Sequence, residues 1–287
     1  MANLKELRSR ISSVSSTMQI TSAMKMVSAA KLKRAQDAIT QLRPYAQKLE
    51  EILVNVSGTL DSSEGVYSRQ TDSPKKVLLV VVSSNRGLCG AFNANVMKRV
   101  LAYKDASESQ IDTFFIGKKA GEILVKRGAG APIGERNSIY DDLSFENVSA
   151  IAEMLMDKFV AGEYDRVEVV YNQFVNAATQ RVQCEQFLPI RETEGDAAST
   201  GDYIYEPAKE EILEDLIPKS LKTQLFKSLL DSQAAEHGAR MTAMHKATDN
   251  ADELRRSLSL EYNKARQAAI TNEILEIVGG ANALADG

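Results

Sequence analysis

The chain has 287 residues, 44% hydrophobic and 26% charged, with a formal net charge of −4. That composition supports a buried core and one or two domains. It excludes a disulfide scaffold, because Cys89 and Cys184 stand far apart without a CxxC or metal-type spacing and read as reduced thiols of a cytosolic-facing protein.

Residues 3–60 carry an apolar seam at alternating steps of three and four. It runs Leu4, Leu7, Ile11, Val14, Met18, then from Leu32 and Ala35 through Ile39, Leu42, Ala46 and Leu49 to Leu53, Val56 and Leu60. Sustained 3.5 periodicity predicts a coiled-coil helix over residues 1–60. Thr21, Lys25 and Ser28 interrupt the seam, and Met24, Met26 and Val27 suggest that the apolar face shifts around the helix there. Pro44 removes a backbone donor, so a bend is expected near Leu42, or else two helices meeting at Arg43-Pro44. Residues 1–43 hold eight Lys or Arg against two Asp or Glu, whereas residues 191–215 hold two against nine. Such asymmetry suggests two oppositely charged contact surfaces, although each single charge also fits a solvated face.

Residues 61–74 read as a linker. Residues 75–83 predict a strand buried on both faces, and their all-aliphatic run 77–82 is too short to span a bilayer. The first residues carry Lys5, Glu6, Arg8 and Arg10 and lack the apolar core of a signal peptide, so the chain reads as soluble or peripheral. Helices are predicted over 92–103, 118–127 and 145–161, and strands over 111–116, 166–172 and 181–188. Strands alternating with helices imply an open, mostly parallel sheet within an α/β domain of residues 75–190. An acidic loop and a short helix stopping at Pro218 fill residues 191–218. Residues 219–287 contain no proline and form a long terminal helix, roughly 90 Å for about 60 residues. Its seam is read as Leu221, Leu225, Met244, Ala247, Ala251, Leu254, Leu258, Ala265, Ala269, Ile270, Ile274 and Ile277. Two seamed helices flanking one α/β domain predict an antiparallel pair.

Chemistry is sparse. Ser83-Ser84-Asn85-Arg86-Gly87-Leu88-Cys89-Gly90 sits where a nucleotide would bind in an α/β sheet, but it matches neither GxGxxG nor the P-loop, and its glycines also suit a tight turn. Cys89 near a helix start is open to two readings, nucleophile or small buried thiol. His237 and His245 are eight residues apart and far in sequence from it, which argues against a dyad or a metal site. The basic N-terminal residues are not interleaved with aromatics, so nucleic acid is not an expected partner. No catalytic constellation and no cofactor or metal site are expected. The rival readings are a coiled-coil-bearing α/β nucleotide-binding enzyme and a free-standing coiled-coil scaffold.

Three stretches carry a family resemblance. They are Ile20-Thr21-Ser22-Ala23-Met24-Lys25-Met26-Val27-Ser28-Ala29-Ala30-Lys31-Leu32 with Arg43-Pro44-Tyr45, then Arg86-Gly87-Leu88-Cys89-Gly90-Ala91-Phe92-Asn93, then Ile270-Thr271-Asn272-Glu273, Glu276 and Gly280-Ala281-Asn282-Ala283. Together they closely resemble the gamma subunits of bacterial F-type ATP synthases. The resemblance implies a long antiparallel coiled coil of N- and C-terminal helices plus an open Rossmann-like α/β domain. It implies a non-catalytic rotor that couples proton-driven rotation to the beta subunits, peripheral to the membrane on its cytoplasmic side. The implied partners are the alpha and beta subunits, the epsilon subunit and the membrane c-ring. By the same resemblance, Arg240, Arg266, Gln267, Thr271 and Glu273 would contact alpha and beta. Met24 and Lys25 would form a neck facing an acidic beta loop, and Tyr205 and Glu206 would meet the c-ring. The inserted cysteine pair of the chloroplast form has no counterpart.

Overall fold

The computed structural model describes residues 4–57, 66–71, 73–127, 131–190 and 209–285. It divides into two compact units, Ser28–Arg240 and the paired segments Met1–Val27 and Met241–Gly287. Two long helices contribute to both, α1 (Leu4–Ser57) and α5 (Lys209–Ala285). Between them in the chain lie β1 (Lys76–Val82), α2 (Phe92–Ala106), β2 (Gln110–Ile116), α3 (Lys118–Lys126), β3 (Gly134–Glu135), a 3-10 turn (Ser138–Tyr140), α4 (Phe145–Val160), β4 (Arg166–Phe174) and β5 (Gln180–Leu188).

Within Ser28–Arg240 the strands form one sheet in the order β3-β2-β1-β4-β5. β1 pairs in parallel with β2 and β4, and β5 closes the edge antiparallel to β4. β1 is buried from Val77 to Val82, as its aliphatic run predicts. Alternation then divides the sheet into two faces. Val77, Leu79, Val81, Phe115 and Val170 pack against α2 and α3. Leu78, Val80, Val82, Val169 and Tyr171 pack against α4 and against Leu221, Leu225 and Leu229 of α5. The second half of the expected linker is tied down: Arg69 donates to the carbonyls of Phe159 and Tyr164 and lies over the Phe159 ring.

Both prolines lie inside continuous helices, contrary to the expected stop at Pro218 and the possible break at Pro44. The cost of an interior proline is local, about 3 kcal/mol. Burial nearby offsets it. Pro44 is exposed while Ile39 and Leu49 stay buried, and Leu221 and Leu225 are buried just beyond Pro218.

In the other unit, Thr21 and Thr248 share a hydrogen bond of 2.8 Å and Lys25 meets His245 Nδ1 at 3.3 Å. Rising numbers on α1 match falling numbers on α5, so the helices are antiparallel. The seam does not shift around α1 at its polar stretch. Thr21 and Ser28 are buried and Lys25 is half-buried, whereas Ile20, Met26 and Val27 face outward. The seam position is therefore kept by geometry and filled with polar side chains, of which Thr21 and Lys25 pair across it.

Candidate functional site

Two regions concentrate unusual physics. The first is the end of α5. Continued at the spacing of the Thr21 and Lys25 pairs, Leu4 comes level with about Ala265, so the residues beyond it outrun the described part of α1. Ala265 and Ala269 are half-buried, and residues 270–282 are all exposed. The expected seam positions Leu254, Ile270, Ile274 and Ile277 are therefore exposed rather than buried, in the last three because the described partner helix has ended.

At roughly 100° per residue, Arg266, Ile270, Glu273 and Ile277 form one stripe. Gln267, Thr271, Ile274 and Val278 form the next stripe, and Leu275 lies opposite the first. All nine are exposed. A helix that is apolar on several faces is a buried helix. This stretch displays Ile270, Ile274, Leu275, Ile277 and Val278 at 44–71% exposure. Its four expected contact residues, Arg266, Gln267, Thr271 and Glu273, sit in the same stripes as those apolar side chains. Met24 is half-buried on α1, beside Lys25 at the polar stretch. Tyr205 and Glu206 lie outside the described residues.

The second region is the crevice at the C-terminal edge of the sheet, where open α/β folds hold ligands. Here the chain fills it with its own helix. Ala235 and Ala239 of α5 pack with Cys89, Phe92 and Phe174. A Cβ on Gly238 would lie 3.2 Å from Ala177 Cα and 3.4 Å from Phe174 Cε2, so α5 approaches the β4–β5 turn as closely as glycine allows. Arg240 is only 8% exposed. It donates to the Gly87 carbonyl, to the Arg86 carbonyl at 3.2 Å and to Glu236 Oε1 at 2.6 Å. Arg240 thus occupies a different setting from the residues with which the sequence groups it.

The turn after β1 is bound internally rather than open to a phosphate. Asn93 Oδ1 accepts from the Ser84 amide at 3.1 Å, and Ser84 Oγ donates to the Arg86 carbonyl at 2.7 Å. Asn85 spans two neighbouring segments, donating to the Asn137 carbonyl at 2.7 Å and accepting from the amide of Lys118 at the start of α3 at 3.1 Å. Leu88 has φ of 63° and is 67% exposed.

The titratable groups fit a packed joint. Burial raises the Cys89 thiol, the opposite of an activated nucleophile. Burial, with the Glu168 carboxylate that accepts its hydrogen bond, pushes the Cys184 thiol up to about 12. Burial also raises Glu236 against the pull of Arg240. His237 is lowered to about 4 by burial and by Lys31 and Arg240, so it is neutral near pH 7. Among the described residues, no cluster of His, Cys, Asp and Glu could hold a metal, and no helix is long and apolar enough to cross a membrane. Sequence reasoning missed Glu236 and Gly238. The i,i+4 spacing of Glu236 and Arg240 was visible, but the partners of Arg240 in the 83–90 turn lie about 150 residues away.

Comparison with known proteins adds an independent line. The family described as ATP synthase matches residues 3–284. The ATP synthase gamma chain of Flavobacterium psychrophilum is 66% identical across 99% of both chains. A chain of the Tetrahymena thermophila mitochondrial ATP synthase, from a central stalk/c-ring structure, superposes with a TM-score of 0.61 at 25% identity, covering 79% of this chain and 99% of that one. A chain of the Euglena gracilis mitochondrial ATP synthase, from an OSCP/F1/c-ring structure, reaches a TM-score of 0.70 at 22% identity over 98% and 94% of the two chains, a likeness of fold.

Proposed function

This chain belongs to the family of ATP synthase gamma chains, the central-stalk rotor subunits, and from that premise we propose how it couples rotation to catalysis. The apolar and polar stripes of α5 beyond about Ala265 are covered by a ring of alpha and beta subunits. The observation that carries this reading is the exposure of five large aliphatic residues on several faces of one helix. Arg266, Gln267, Thr271 and Glu273 supply polar contacts inside that apolar bearing. Met24 and Lys25 form the neck that meets an acidic loop of beta. Tyr205 and Glu206 meet the membrane c-ring, and the epsilon subunit joins them there. The chain works at the membrane surface, on the cytoplasmic side.

The mechanism follows from asymmetry. One helix end presents different residues to three chemically identical beta subunits. Differential contact biases each subunit's conformational equilibrium, and a contact equal in every state would shift nothing. Proton-driven rotation of the ring then carries each beta subunit through states of different nucleotide affinity. The chain itself performs no chemistry, and its α/β crevice, where a nucleotide would sit, is occupied by Ala235, Ala239 and Arg240.

Photo-crosslinking side chains at Met24 and Gln267 in the native complex test this. Both should capture the large subunits of the head, Gln267 capturing both kinds. Capture of neither, or tight ATP binding by the purified chain alone, would overturn the reading.

A further inference from the structure

We propose that Arg240 is an internal positioning residue that latches α5 to the α/β domain, so that torque delivered to the domain reaches the helix without slip. This rests on the rotor reading above. It departs from a direct contact of Arg240 with neighbouring subunits.

The latch is built from both sides. On α5, Glu236 and Arg240 are one turn apart and their side chains are 12% and 10% exposed. Between them, Gly238 allows the close approach to Ala177. On the domain, two consecutive carbonyls, Arg86 and Gly87, face the guanidinium. The Arg86 carbonyl also accepts from Ser84 Oγ, whose amide is held by Asn93 of α2. Asn85 ties the same turn to the first residue of α3 and to Asn137 just before the 3-10 turn. Arg240 therefore grips a turn that is itself anchored to three neighbouring segments.

Leu221, Leu225 and Leu229 anchor α5 in the core about three to five turns before Arg240, and beside Arg240 itself the apolar contact is slight. Ala235 and Ala239 present small, smooth surfaces, and dispersion contacts are not directional. A planar guanidinium bridging two carbonyls and a carboxylate has one registration only. Leu88, which follows the two gripped carbonyls, holds the left-handed conformation, which a leucine keeps only when its surroundings over-determine it.

The test joins a local and a functional readout. In the full chain alone, Arg240→Ala should speed hydrogen exchange of the amides at 84–90 while leaving α4 unchanged. In the assembled enzyme it should lower proton pumping per ATP hydrolysed several-fold, and Arg240→Lys should recover only part of that loss. Leu124→Ala, a core change on the face of the sheet that α5 does not touch, should leave the pumping ratio intact. An unchanged ratio in Arg240→Ala overturns the latch, as does an equal fall in Leu124→Ala. Slower assembly without faster exchange at 84–90 overturns it in favour of a direct subunit contact. Should Arg240→Ala not assemble, Glu236→Gln is read by the same ratio, and a smaller fall is expected. Failure of the wild-type chain to join any head complex would instead refute the rotor reading.

Discussion

The exposed end of α5 makes a sharp demand, tested by Ile277→Asp. Ile277 is 71% exposed and lies past the described reach of α1. In the lone chain the change removes little packing, so stability should move by about 0.5 kcal/mol or less. In the assembled head the same side chain is covered. Burying a whole isoleucine is worth about 1.5–3 kcal/mol, so covering its exposed portion is worth about 1–2 kcal/mol. An aspartate there adds the cost of desolvating a carboxylate, several kcal/mol more. Affinity for the ring of alpha and beta subunits should fall by at least about tenfold, since about 1.4 kcal/mol is tenfold. Ile277→Ala separates the two effects, because it loses burial without adding charge. Thermal unfolding of the lone chain and titration into the purified ring read the two sides. A marked drop in the melting temperature of the lone chain, or unchanged affinity for the ring, would refute the reasoning.

Other predictions concern the fold. Asp231 is 6% exposed, and burial pushes it up to about 6 against the pull of Lys227 and Arg43. Its folded pKa exceeds the unfolded one, so the folded state binds the proton more tightly and stability falls as pH rises from about 4 to about 6. Asp231→Asn should therefore stabilise the chain by on the order of 2 kcal/mol at pH 7.5, with little effect near pH 4 in urea titrations at both values. Gly117 has φ of 98°, and a Cβ there would lie 2.0 Å from the Ser83 carbonyl oxygen. Gly117→Ala should cost at least about 3 kcal/mol, measured by denaturant unfolding. A Cβ on Gly279 would have nothing within 4 Å, so Gly279→Ala should stabilise the helix end by up to about 1 kcal/mol, seen as raised helicity by circular dichroism. Leu225 is fully buried between α5 and the sheet, and Leu225→Ala should cost about 2–5 kcal/mol.

The sequence determined what depends on near neighbours in the chain. The three-four spacing from Leu4 to Leu49 places every seam position buried or half-buried on α1. The aliphatic stretch at β1 announces a strand covered on both faces, because each face recruits its own helices. Tertiary structure decided what depends on distant partners. Proline penalties at 44 and 218 are local, but the burial that offsets them comes from elsewhere, so helix continuity could not be read from the prolines. Thr21 looks like a flaw in a seam until Thr248 is set against it. β3 is two residues long and has no pattern of its own, existing only by pairing with β2. Isoleucines at 270, 274 and 277 continue an apolar pattern in sequence, yet the described partner helix ends before them. Arg240 shows the limit most clearly. Its charge and its spacing from Glu236 are visible in the chain, but the carbonyls of Arg86 and Gly87 that receive it have no signature in sequence, because every residue has a carbonyl and only the fold decides which ones meet.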